Sequence, residues 1–202
     1  MKNIENKLTK NVINVTNKLS GLKAHSQEIN KISKESLITS LILLMKQKPY
    51  DKITISELCI KAGVSRTAFY GNFKTKDDLL TLYVLNMNTE LINKIGSPFR
   101  NDTSLDWYIN LFQVIKDNSE ILILIFKAGF QKKYLEILNS MVLHNPSIPI
   151  EKKYQRLIWS GGVENALSYW LLESSLKESV EDIALYCHKN LNGWKYSYRK
   201  NN

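Results

Sequence analysis

Proline and glycine are scarce in this sequence: four Pro and eight Gly among 202 residues. The chain therefore has few breakers of regular structure. The long Leu-, Ile-, Lys- and Glu-rich stretches between them point to an all-α protein. There are only two cysteines, Cys59 and Cys187, which is too few for a disulfide framework and fits a reducing cytosol. Histidine is nearly as rare, and His25, His144 and His188 are scattered. The neighbours Cys187 and His188 lack the three- or four-residue spacing that puts two ligands on one helix face, so no metal site is expected. No phosphate-cradling Gly loop, nucleophile elbow or Cys-X-X-Cys pair occurs, which leaves no recognisable catalytic apparatus and no cofactor. The longest apolar run, 121–126, falls far short of the ~18 residues of a membrane span, and the first residues lack an apolar signal core. The expected location is cytoplasmic.

What is present is a globular composition with a lopsided charge. Apolar residues make up 44% and charged residues 23%, enough to build a core rather than a disordered chain. Of the formal net charge of +9, residues 1–85 carry 14 Lys+Arg against 7 Asp+Glu, whereas residues 86–202 carry 14 against 12. A basic amino-terminal half suits a polyanionic partner, although a solvated basic surface has the same composition.

Three segments emerge along the chain: an extension over 1–32, a compact helical domain over 33–80, and a larger helical domain over 81–202. In the extension, Ile4, Leu8, Val12, Val15, Leu19 and Leu22 recur at helical spacing opposite a Lys/Asn face. This pattern fits a packed helix or a basic arm. Ser33 is placed to cap a helix whose stripe is Leu37, Ile38, Leu41, Ile42, Leu44 and Met45, and Pro49 stops it. Thr54-Ile-Ser-Glu57 is a capping box opening a second helix with Leu58, Cys59, Ile60 and Ala62 as its body. Gly63 turns the chain, Ser65 caps a short third helix to about Phe73, and Thr75-Lys-Asp-Asp78 caps a fourth that runs to Ile95. Gly96-Ser-Pro98 breaks it, and further helices are expected near 104–117, 119–143, 151–174 and 179–192, the last capped by Ser179.

Two short helices joined by a Gly-containing turn outline a helix-turn-helix, whose second helix enters the major groove of double-stranded DNA. Phe69 and Phe73, four apart, would anchor that helix in the core, leaving Arg66, Thr67 and Tyr70 outward. Arg66 is suited to the O6/N7 edge of guanine, and Thr67 to a base or a phosphate. Tyr70 and Lys76 are suited to phosphates on either side. The helix starts at Thr54 and Thr75, with the Ser65 cap between them, would present amide N–H groups to the DNA backbone.

The run from Thr54 to Leu80 resembles the DNA-binding domain of the TetR family of bacterial transcriptional regulators, and the likeness covers roughly 33–80. Ala62-Gly-Val-Ser65 precedes the recognition helix, Phe69-Tyr70 forms its aromatic pair, and Phe73, Lys76 and Asp78-Leu79 follow in order. Thr67 and Ala68 stand where a Gly or Pro and then a Thr are common. Asn72 replaces an often phosphate-binding His; it offers an uncharged hydrogen bond.

For the rest of the chain the resemblance implies an effector pocket and two closing helices that pair two copies. Trp159-Ser-Gly-Gly-Val-Glu-Asn-Ala-Leu-Ser-Tyr-Trp170 and Ser179-Val-Glu-Asp-Ile-Ala184 are similar to such closing helices. Gly161, Gly162, Asn165, Trp170, Ile183 and Tyr186 are therefore candidate dimer residues, with a contact inside one subunit as the alternative. Trp107, Phe126, Phe130, Tyr134 and Trp159 suit a pocket for a small apolar ligand, or ordinary core. The expectation is a homodimeric DNA-binding regulator, a repressor of a palindromic operator released by an unidentified effector. The alternative is a protein-interaction module that acts through a protein partner.

Overall fold

The computed structural model describes residues 29–99, 104–143 and 146–191 and contains helices and turns without strands among them. The extension reading over 1–28 lies outside the described residues. Two compact units divide the chain. The first comprises the residues up to Gln47 with Lys52–Leu79, and the second comprises Lys48–Asp51 with the residues from Leu80 on.

In the first unit, α1 spans 29–45. Ser33 lies inside it and not at its start: its hydroxyl donates to the Ile29 carbonyl at 2.8 Å, a back-bond within one turn. Leu37, Leu41, Ile42, Leu44 and Met45 are buried as their spacing requires. α2 (Ile55–Ala62) starts where the Thr54 hydroxyl accepts the Glu57 N–H. It buries Leu58 and Cys59, whereas Ile60, also in the body of the helix, is 82% exposed. Gly63 ends α2 at φ +65°, where a side chain would be strained, and its N–H closes on the last turn. α3 covers only Arg66–Tyr70, capped by Ser65, whose hydroxyl accepts the Ala68 N–H at 3.1 Å. It is shorter than the expected run to Phe73, although a further hydrogen bond from Phe73 N–H to the Phe69 carbonyl continues the turn.

α4 spans Lys76–Ile95. Asp78 Oδ2 accepts the N–H groups of Lys74 and Thr75, both at 2.9 Å, while the Thr75 hydroxyl accepts the Asp78 N–H. This reciprocal cap fixes the start of the helix. From Leu80 onward α4 belongs to the second unit.

The second unit continues with α5 (Leu105–Asp117), α6 (Ser119–Lys127), α7 (Gln131–Leu143), α8 (Ile150–Ser168) and α9 (Val180–Leu191). Ser104 and Ser179 cap α5 and α9 through their hydroxyls. The single helix expected over 119–143 is two helices, because Gly129 adopts φ +80° between them. A π-helical turn, Tyr169–Glu173, extends α8. Tyr108, Phe112, Ile125, Phe126 and Trp170 form the most deeply buried part of this core. α9 packs on α5 and α8, and α7 packs on α8.

Candidate nucleic-acid interface and body cavity

The short α3 is held by one side chain and displays several others. Phe69 is fully buried, with its ring centroid 5.4 Å from Tyr70 and 5.7 Å from Phe73. Arg66, Thr67 and Tyr70 are exposed, as are Thr54 and Ser65 at the two helix starts. At 100° per residue Arg66, Thr67 and Tyr70 fall within about 100° of arc, a single reading face. Arg66 offers a planar fork of donors and Thr67 a hydroxyl and a methyl, the chemistry that base edges require. Lys61 on α2 and Lys74 before α4 are exposed too. Sequence reasoning passed over both cations, whose only signal is that they flank the turn elements.

Two expected phosphate contacts take a different form. Asn72 Nδ2 donates to Asn30 Oδ1 at 2.8 Å and to the Ala68 carbonyl at 3.0 Å, so both amide hydrogens are spent. Asn72 ties the end of α3 to α1 and is not a free phosphate donor. The Thr75 N–H is consumed by Asp78, which removes it from the amides open to phosphate. These bonds, the Thr75 N–H first, hold the Asp78 carboxyl below the usual aspartate range. Lys76 is partly buried and its Nζ donates to the Ile53 carbonyl at 2.9 Å, bracing the start of α4. An ammonium carries three donors, so this bond is compatible with a phosphate contact.

In the second unit, a cavity of about 220 Å³ is lined by Trp107, Tyr134 and Trp159 among others. Phe126 and Phe130 do not line it. Both are buried core, Phe126 against Tyr134 at 5.9 Å and Phe130 against Tyr50 at 5.8 Å. Trp159 Nε1–H donates to the Tyr108 hydroxyl at 2.7 Å, and burial pushes the Tyr108 phenol up to about 12.

The expected pairing residues divide between surface and interior. Asn165 and Tyr186 are exposed and Gly161 is half-buried. Trp170 is not available to a partner copy: it is 0% exposed, stacks edge-on against Phe112 and donates Nε1–H to the Glu178 carbonyl. Ile183 is buried as well. The open side of Gly162 faces Leu191 of its own chain. The exposed apolar side chains of α8 are instead Ile150, Tyr154 and Ile158, with Tyr169 just beyond its end. At helical spacing they share one stripe with Gly161 and Asn165.

Residues 33–82 match the family described as bacterial regulatory proteins, tetR family. The Transposon Tn10 TetC protein of Escherichia coli is 26% identical over 167 residues, covering 76% of this chain and 84% of the relative. A solved TetR-family transcriptional regulator of Syntrophomonas wolfei strain Goettingen superposes with a TM-score of 0.57 at 16% identity, covering 86% of this chain and all of the other (100%). The dihydroxyacetone kinase operon activator DhaS gives 0.52 at 16% identity over 80% of this chain and 95% of its own. The TetR transcriptional regulator of Streptococcus agalactiae 2603V gives 0.50 at 18% over 80% and 94%.

Proposed function

We propose that this chain, a member of the tetR family of bacterial regulatory proteins, is a DNA-binding transcriptional regulator that binds a palindromic operator as a homodimer and represses until a small molecule releases it. The observation that carries the DNA reading is the five-residue α3, capped by Ser65 and pinned by the buried Phe69, with Arg66, Thr67 and Tyr70 turned outward. Arg66 would read guanine and Thr67 a neighbouring base, while Tyr70, Thr54, Lys76 and the exposed Lys61 and Lys74 hold phosphates.

The dimer reading rests on the stripe of Tyr154, Ile158, Gly161, Asn165 and Tyr169 with Tyr186 of α9. Ile158 is 68% exposed and Tyr154 63%, an apolar face that a second copy would cover. A twofold pair presents two α3 helices to successive major grooves when they stand about one DNA turn apart, ~34–36 Å. An effector with higher affinity for another spacing lowers operator affinity by that difference alone.

Selection of bound duplexes from a random pool, at moderate salt, tests this. Recovery of a palindrome whose affinity falls steeply with salt supports the reading. In that background Arg66→Ala should lose about 1–3 kcal/mol of discrimination at one base position per half-site. Absence of any enriched sequence with folded protein would favour a protein-interaction module instead.

A further inference from the structure

The cavity beside Trp107 and Trp159 carries information about what it would hold. Next to it lies a second hollow of about 210 Å³, and Asn88, Leu91 and Tyr134 line both. The polar side chains of the first cavity separate into those already used and those left over. Trp107 Nε1–H donates to the Gly96 carbonyl at 3.1 Å, Trp159 is spent on Tyr108, and the Ser160 hydroxyl donates to Asn139 Oδ1 at 2.6 Å. The Ser97 hydroxyl accepts the Phe99 N–H at 3.3 Å.

Three further groups line the wall. Asn88 is 4% exposed, yet its Nδ2 has no hydrogen-bond partner. A buried, unpaired amide costs stability that a bound acceptor would restore. The Tyr134 phenol lines the same cavity. Burial, and then the Glu164 carboxylate, push its pKa up to about 12, so it stays a neutral donor. Arg156 lies with its guanidinium carbon 4.7 Å from the centre of the Phe99 ring. No carboxylate pairs with it among the described residues, and no acidic side chain lines this cavity. Among the described residues the only charged side chain on the wall is therefore Arg156, a cation held over an aromatic ring.

We infer that this cavity binds a small organic carboxylate with a single-ring body: the carboxylate pairs with Arg156, the ring packs against Trp107 and Trp159, and a neutral polar substituent reaches Asn88 and Tyr134. The volume favours a ligand at or below the small end of the ~300–1,000 Å³ range of drug-sized sites. Charge fixes the orientation. Glu164, whose Oε1 accepts the Ser168 hydroxyl at 2.8 Å, acts on Tyr134 and disfavours an anion at that end. The inference deepens the effector reading above and rests on it for its regulatory meaning, though not for binding itself.

The test uses the full chain with benzoate, 4-hydroxybenzoate and phenylacetate, each paired with its neutral amide. Binding is read by quenching of tryptophan fluorescence and by the rise in Tm. At least one carboxylate should bind saturably and about 10- to 100-fold tighter than its amide. Arg156→Gln should erase that preference, and Arg156→Lys should restore part of it. Asn88→Leu should weaken 4-hydroxybenzoate more than benzoate. Equal binding of acid and amide, or no binding of any carboxylate to the unaltered protein, overturns the inference, and that comparison does not depend on any variant folding. Release of an operator duplex is measured separately by anisotropy. Carboxylate binding without release would refute the effector reading and leave the ligand class standing; release by amides as readily as by acids would do the reverse.

Discussion

Replacing Phe69 by Ala would separate what holds the reading helix from what reads. α3 has five residues, against the ~12–15 an isolated helix needs to be even marginally stable in water. Its position must come from tertiary contacts. Phe69 supplies them: it is fully buried and its ring meets those of Tyr70 and Phe73. Truncation removes that burial and leaves a cavity, at a cost of about 3–5 kcal/mol. Lost aromatic pairing accounts for about 0.5–1.5 kcal/mol of this. Domains are stable by only about 5–15 kcal/mol, so the urea midpoint followed by circular dichroism should fall steeply and operator binding with it. Phe69→Leu, closer in volume, should cost under about 1.5 kcal/mol. Arg66→Ala, at an exposed position, should leave the midpoint within about 0.5 kcal/mol and still lose base discrimination. A Phe69→Ala protein that unfolds within about 1 kcal/mol of the original would refute the anchoring argument. So would an Arg66→Ala protein whose lost discrimination tracks a lost fold.

Asp78→Ala should cost about 1 kcal/mol in thermal unfolding, the usual worth of a helix cap, because the Lys74 and Thr75 N–H groups lose their acceptor. Since the folded carboxyl titrates below its unfolded value, the contribution should be complete above the ordinary aspartate range, ~3.9, and fade as pH falls through the folded pKa. A variant equally destabilised at pH 2 and pH 7 would contradict this. Gly63→Ala should cost about 1–2 kcal/mol from backbone strain alone, since a Cβ there meets nothing within 4 Å; Gly63→Asn should recover part of it in the same denaturation assay. Ile158→Glu should shift analytical ultracentrifugation toward monomer at unchanged helix content, and a dimer as tight as before would exclude the stripe as the interface. Gly161→Ala, inside α8 with nothing of its own subunit near the new Cβ, should stabilise the helix by about 0.5–1 kcal/mol, whereas at Gly162 Leu191 Cδ2 would have to move aside and the rise in Tm should be smaller.

Much of the fold was legible because helix ends announce themselves chemically. Thr54, Ser65 and Ser179 cap where the sequence placed them, and Gly63 turns the chain at the positive φ its position implies. The failures share a cause. Ser33 has cap chemistry but bonds back into a helix that was already running, and a serine followed by an apolar stripe looks the same in either role. Gly129 splits 119–143 inside an apolar pattern that reads as continuous, since periodicity does not register one residue of left-handed backbone. Ile60 shows the converse limit: an apolar side chain in an amphipathic segment need not face the core.

The candidate sites were legible in proportion to how local their chemistry is. Arg66, Thr67 and Tyr70 are exposed together because one helical turn and one buried neighbour decide it. Asn72 and Lys76 sit in the same segment, but Asn72 bonds to Asn30 on α1 and Lys76 places one hydrogen bond on the Ile53 carbonyl, partners that only the packed unit brings near. In the body the aromatic residues were visible and their partition was not: Trp107, Tyr134 and Trp159 line the cavity while Phe126 and Phe130 fill core. Asn88 and Arg156 went unnoticed for the same reason. An asparagine within α4 and an arginine within α8 look solvated in a helical pattern. What distinguishes them is subtraction: Ser97, Trp107, Trp159 and Ser160 find hydrogen-bond partners in the fold, whereas Asn88 Nδ2 has none and Arg156 meets the face of Phe99. Unmet hydrogen-bonding capacity is a property of the packed structure, and it is what converts an apolar hollow into a site with a preferred ligand charge.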